Sequence, residues 1–236
     1  MKTVIHKAAT RGQADHGWLK THHTFSFANY YNPERVHFGT LRVLNDDWID
    51  GGEGFGKHPH DNMEIITIPL KGAVQHQDSI GNKGVINAGE IQVMSAGTGI
   101  YHSEYNANKN LALELLQIWV FPDKKNVTPR YEQISLTSLE KSNEFYPILS
   151  PNADDAGVWI HQQAWFHLGD LSAGWEGNYN LKSTQSGVYV FIIEGEATVA
   201  GIELSRRDGI GISETQEIEI KAKSDSKILI MEVPMN

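Results

Sequence analysis

Two short stretches carry side chains that could hold a metal ion. In HPHDNME, residues 58–64, His58 and His60 stand two residues apart with Glu64 four further on. In GIYHSEYN, His102 and Glu104 have the same two-residue spacing. Residues two apart in a strand point to one face, so each pair can offer two donors to one ion. On neighbouring strands the pairs would supply three imidazole nitrogens and one carboxylate oxygen. That donor set suits Fe(II), Ni(II), Mn(II), Cu(II) or Zn(II), and an octahedral ion would keep two positions for water or substrate. HPH alone is better read as a solvated histidine pair at a turn, and the second pair brings the metal reading level with it. Glu64 shares the histidines' face if the strand stays regular. It can then be read as a ligand, as an acceptor behind the ligands, or as a polar residue at a strand start.

Nine of the eleven histidines fall in the first half of the chain, which places the chemistry there. His22 and His23 precede Phe25 and Phe27, whose alternation gives them one face. These are read as core, with a pocket lining as the alternative. His76 is read as structural, as are His161 and His167, which lack partners at ligand spacing. Trp119 and Trp48 are assigned to core packing and turn anchoring. In SAGTGIYH the small residues let the backbone bend and carry His102 toward the HPH strand. No helix pattern follows this turn, so a phosphate-binding loop is a poor reading.

The elements that must position these residues are strands. Twenty-two glycines punctuate short apolar runs such as EIITIPL, IQVMSAG, LALELLQIWVF, VYVFII and KILIMEV. Such runs, bounded by Gly, Asn, Asp or Pro, predict an all-β chain with tight turns. SLTSLEKSNEF predicts one short helix. EIITIPLKGAVQHQDSIGNKGVINAGEIQVMS and VYVFIIEGEATVAGIELSRRDGIGIS share a strand–Gly–strand rhythm, which predicts two copies of one antiparallel module. Aligning Gly72 with Gly195 sets Leu181, Ser183 and Gly187 opposite His58, His60 and Glu64, so the second copy is expected to be silent. Pro122, Pro129 and a Lys–Lys–Asn turn put the boundary near 133, giving units 1–133 and 134–236.

Composition narrows the function. The 236 residues are 40% hydrophobic and 21% charged, with no apolar run of membrane-spanning length and no signal-peptide core, which predicts a soluble cytoplasmic protein. The absence of cysteine excludes thiolate metal sites, disulfides and thiol catalysis. A formal charge of −9 argues against direct nucleic-acid binding.

GEGFGKHPHDNMEIITIPLKG resembles the first cupin motif and GEIQVMSAGTGIYHSEYN the second, with Ser95 where cupins often carry proline. Together with HHTFSFANYY, LRVLNDDWI and VQHQDSIGN, the pattern resembles the pirin family of bicupins. The resemblance implies two antiparallel β-barrel (double-stranded β-helix) modules, of which only the first binds metal. It implies His58, His60, His102 and Glu104 as ligands and moves Glu64 behind them. It implies one divalent transition metal ion, with iron ranked ahead of nickel, manganese, copper, zinc and cobalt. The activity implied is that of a 2,3-dioxygenase opening the heterocycle of flavonols such as quercetin with O2 and releasing carbon monoxide. Glu104 would then serve as general base, and the HHTFSF aromatics would form the mouth for a small planar substrate. A second function follows from the same resemblance: a redox-sensing module that regulates a transcription factor or enzyme partner. A metal held for stability alone is the third.

Overall fold

The computed structural model describes residues 1–235 of the chain. The first twelve strands are β1 (Lys2–His6), β2 (Gly12–Asp15), β3 (Leu19–His23), β4 (Leu41–Ile49), β5 (Gly54–His60), β6 (Glu64–Lys71), β7 (Ala73–Asp78), β8 (Lys83–Asn87), β9 (Glu90–Ser95), β10 (Ile100–Asn106), β11 (Leu113–Val120) and β12 (Arg130–Ser135). Ten more follow: β13 (Phe145–Ser150), β14 (Val158–Trp159), β15 (Trp165–Leu171), β16 (Glu176–Asn180), β17 (Ser186–Glu194), β18 (Glu196–Val199), β19 (Ile202–Ser205), β20 (Gly209–Ser213), β21 (Glu217–Ala222) and β22 (Ser226–Pro234).

The strands form four open sheets instead of two closed barrels. A seven-stranded sheet (β12-β9-β6-β11-β4-β3-β2) faces a four-stranded one (β5-β10-β7-β8), and this pair is repeated as β1-β20-β17-β22-β15-β13-β14 with β16-β21-β18-β19. Each module is thus a jelly-roll-like cupin sandwich. The repeat read from the sequence holds strand for strand. The turns at Gly72 and Gly195 both have positive φ, 82° and 86°, a conformation that glycine adopts without strain.

Sequence pattern explains the layering. In β17, Val188, Val190 and Ile192 face the interior of the C-terminal sandwich, while Tyr189, Phe191 and Ile193 face the other module. In β11, Leu116, Ile118 and Val120 answer them across the junction, and Leu113 and Leu115 point inward. The large sheets are therefore apolar on both faces, and their shared core joins the modules. Each such side chain contributes about 1.5–3 kcal/mol by leaving water.

Three expectations are changed in detail. SLTSLEKSNEF is a single turn, in which the Leu139 and Glu140 N–H groups donate to the Leu136 carbonyl. Leu136 is buried and Leu139 packs on the inter-module core, so the segment is a plug too short to propagate a helix. The structural counterpart of β5 is β16, and Leu181, Ser183 and Gly187 fall beyond it. The ungapped alignment slipped because the β16–β17 connection is longer than the β5–β6 connection. The interior of the second sandwich still lacks ligands at the matching strands, where Tyr179, Ile218 and Ile220 pack together. Residue 133 falls inside β12, paired with β9, and β1 crosses to pair with β20. No helix among the described residues is long and apolar enough to cross a membrane.

Candidate metal centre

β5 and β10 run antiparallel with His58 opposite His102 and His60 opposite Ile100. Between His102 and Glu104 the register slips: Glu104 pairs with Phe55, so β5 carries one extra residue around Gly56. The bulge lets the Gly56 carbonyl accept a hydrogen bond of 2.8 Å from His58 Nδ1. A carbonyl can only accept, which fixes the proton on Nδ1 and leaves Nε2 with a bare lone pair.

The ring centroids of His58, His60 and His102 form a triangle of 4.9, 4.4 and 4.9 Å, and their ligating nitrogens all lie within 4.8 Å of one another. His102 is 2% exposed and neither of its nitrogens has a hydrogen-bond partner. Burial and the neighbouring imidazoles push its pKa down to about 2, and burial first, then His58, brings His60 to about 4. These rings stay neutral in the pH range of the cell. A buried, neutral and unbonded imidazole among two others is a donor set awaiting a cation, and a divalent transition ion fits it.

Glu104 is buried opposite His76, which β7 contributes on the other side of β10. Its carboxylate accepts hydrogen bonds from the Thr67 hydroxyl at 3.0 Å and the Gln117 amide at 2.9 Å. Burial outweighs both bonds and lifts its pKa to about 7. The nearest imidazoles to it are His102 and His76, whose donor atoms lie within 4.8 Å of its own. His76 is held by Asp78 at 3.4 Å and lies 5.4 Å, ring to ring, from His102. The structural role read for His76 thus needs widening, because it borders the centre.

Glu64 does not stand behind the ligands. Asn62, with φ of 44°, ends the strand after the histidines, and Glu64 begins β6 on the face opposite Ile65 and Thr67. There it accepts a 2.7 Å bond from the Ser95 hydroxyl, and burial raises its pKa to about 7. Ser95, at the place where cupins often have proline, is that carboxyl's partner.

A cleft of about 550 Å³ opens between β2, β3 and the segment around Phe27, lined by Trp18, His23, Phe27 and Tyr30 among others. It shares Phe27, Asn45, Asp47 and Phe55 with a chamber of about 80 Å³ at His58, His60, His102 and Glu104. The expected HHTFSF pair therefore divides. Phe25 is inter-module core, whereas Phe27 lines the cleft. His23 turns inward and its Nδ1 donates to Asn45 Oδ1 at 2.9 Å, while His22 lines a separate charged hollow. Trp119, read as core, caps the chamber with its ring 5.0 Å from His60. His167 packs against Tyr179 in the second sandwich, away from the chamber. Sequence reading missed Asn45, Asp47, Thr67 and Gln117. Their signal was a polar residue interrupting an apolar strand, as in LRVLNDDWI, EIITIPL and LLQIWVF.

Residues 4–120 match the family model described as Pirin, and residues 147–233 match the quercetinase C-terminal cupin domain. This chain belongs to the pirin family. The quercetin 2,3-dioxygenase of Escherichia coli K12 is 44% identical over 234 residues, covering 98% of each chain. A pirin-like protein of Caulobacter vibrioides is 41% identical over 222 residues, 94% of this chain and 95% of its own. The crystal structure of the bacterial pirin YhhW of E. coli in complex with nickel(II) superposes with a TM-score of 0.93 at 43% identity, covering 99% of both chains. A quercetin 2,3-dioxygenase from Acinetobacter baumannii, 23% identical, shares the fold with a TM-score of 0.82. Among the described residues of this pirin, the clusters that could hold an ion, His58–His60–His102 and His76–His102–Glu104, both lie in the N-terminal module.

Proposed function

We propose that this pirin is a metal-dependent dioxygenase that opens the heterocycle of a flavonol-type substrate with O2, releasing carbon monoxide. His58, His60, His102 and Glu104 hold the ion. The observation that carries this reading is the position of the three clustered imidazoles at the inner end of an aromatic cleft. When bound, the ion supplies Lewis acidity that lowers the pKa of a substrate hydroxyl.

The chain's own residues do the rest. Trp18, Phe27, Tyr30 and Phe55 offer ring faces and edges to a planar substrate, and Trp119 and Ile65 keep the inner chamber apolar. Glu104, a carboxylate once the ion has displaced its proton, is the group that accepts the phenolic proton. Thr67 and Gln117 hold that carboxylate in place before and after the transfer. The E. coli relative's name and the nickel(II) complex of its structural counterpart support the same reading.

The test is direct. Metal-loaded protein mixed with quercetin in air is expected to bleach the flavonol absorption and release carbon monoxide. His102→Ala is expected to abolish both. Absence of turnover in the wild type with each of iron, nickel, manganese and copper, or undiminished turnover in the variant, would overturn the proposal.

A further inference from the structure

Four residues belong to both the aromatic cleft and the inner chamber, and so stand at the passage between them: Phe27, Phe55, Asn45 and Asp47. The two rings supply walls. Asn45 already engages His23 through its Oδ1. Asp47 differs from the other three because its Oδ1 is buried and has no hydrogen-bond partner. The residue is 6% exposed, so water does not reach it freely.

Its direction is set by the sheet. In β4 the odd-numbered positions Val43, Asn45, Asp47 and Ile49 alternate with Leu44, which joins the inter-module core, and with Asp46, which pairs with Arg11 outside the sandwich. Asp47 therefore looks into the N-terminal sandwich, opposite Thr21 on β3 and Leu115 on β11. Among the described residues, no lysine or arginine lines either cavity, so no internal cation answers this carboxyl.

A buried acceptor without a partner is costly, and a site built to receive a hydroxyl discriminates strongly against a ligand that lacks one. We infer that Asp47 is the residue that reads the substrate, accepting a hydrogen bond from a hydroxyl of a planar aromatic alcohol as it passes from the cleft to the chamber. The inference rests on the substrate class proposed above and adds the group that selects within it. Asp47 is thereby a recognition residue separate from the four donors, and it favours hydroxylated rings over their methyl ethers.

The test is titration calorimetry under argon on nickel-loaded protein, comparing wild type with Asp47→Leu, which keeps the size and removes the acceptor, and with Asp47→Asn, which keeps one oxygen. The ligands are quercetin and catechol, each beside its methyl ether at the hydroxyl that would enter the chamber. Asp47→Leu is expected to weaken quercetin and catechol about tenfold and the ethers less than twofold, with Asp47→Asn in between. Equal losses for hydroxyl and ether, or no loss, would overturn the inference. Should Asp47→Leu fail to fold, Asp47→Asn alone decides by the same comparison. If wild type binds catechol in an Asp47-dependent way but not quercetin, the flavonol reading fails and the recognition role stands. Binding of neither overturns both.

Discussion

His58 and His102 face each other directly across β5 and β10, with ring centroids 4.4 Å apart. Two imidazoles so close cannot both be charged, and His102, buried without any hydrogen bond, is the one that gains most from a cation. His102→Ala is therefore expected to lower metal affinity by at least about 100-fold, measured by metal analysis after dialysis against a weak chelator. The metal-free variant should melt within a few degrees of wild type, because the alanine removes two unsatisfied nitrogens along with the ring. Full metal content in the variant would reject His102 as a ligand.

Ion binding should release a proton in a pH-dependent way. Glu104 is protonated below about pH 7 because burial raises its pKa, whereas His60 and His102 are already neutral. At pH 6 the wild type is expected to release about one proton per ion more than Glu104→Gln, and at pH 8.5 the difference should vanish. Calorimetry in two buffers of different ionisation enthalpy reads the count. A difference that persists at pH 8.5 would mean that the proton comes from another group.

Glu64 gives a prediction about stability. Its folded pKa lies above the unfolded one, so the native state holds a proton that the unfolded chain has lost between the ordinary carboxylate range and about 7. Stability from this group is complete below that window and declines as pH rises through it, by about 2–3 kcal/mol. Glu64→Gln should flatten this portion of the denaturation-midpoint profile against pH in the metal-free protein. It should leave metal content unchanged, since Glu64 faces away from the centre.

Asp46 binds Arg11 at 3.1 Å and Arg207 at 3.4 Å, and both guanidiniums are about 95% buried. It ties β4 to the C-terminal module through the Arg207 turn. Removing it leaves two buried cations short of a counter-charge, so Asp46→Ala is expected to cost about 3–5 kcal/mol in urea denaturation. A cost under about 1 kcal/mol would show that Glu114 and Glu194, at 3.8 and 3.7 Å from Arg207, suffice.

The strands were legible because each carries its own evidence: LLQIWVF alternates and EIITIPL is bounded by turn residues. The meeting of His58, His60 and His102 was legible because period-two spacing survives in any strand, whereas Glu104 is grouped with His102 and His76. What escaped depended on distant geometry. Glu64 was placed wrongly because one residue, Asn62, turns the chain and cancels the even count. Thr67 and Gln117 sit in apolar runs and Asp47 in the polar triplet NDD, and only the sheet register shows that their side chains converge with Glu104 on one interior. His76 was underrated because its partner across the ladder, Glu104, lies 28 residues downstream.

Lys2–His6 pairs with Gly209–Ser213, about two hundred residues later in the chain. On the ribosome β1 must therefore wait until β20 has emerged. The apolar outer face of the N-terminal sheet, with Leu44, Leu116 and Ile118, waits with it for Phe191 and Leu229. Order of synthesis and order of assembly run against each other here: β1, made well before β20, is among the last strands to find its neighbour.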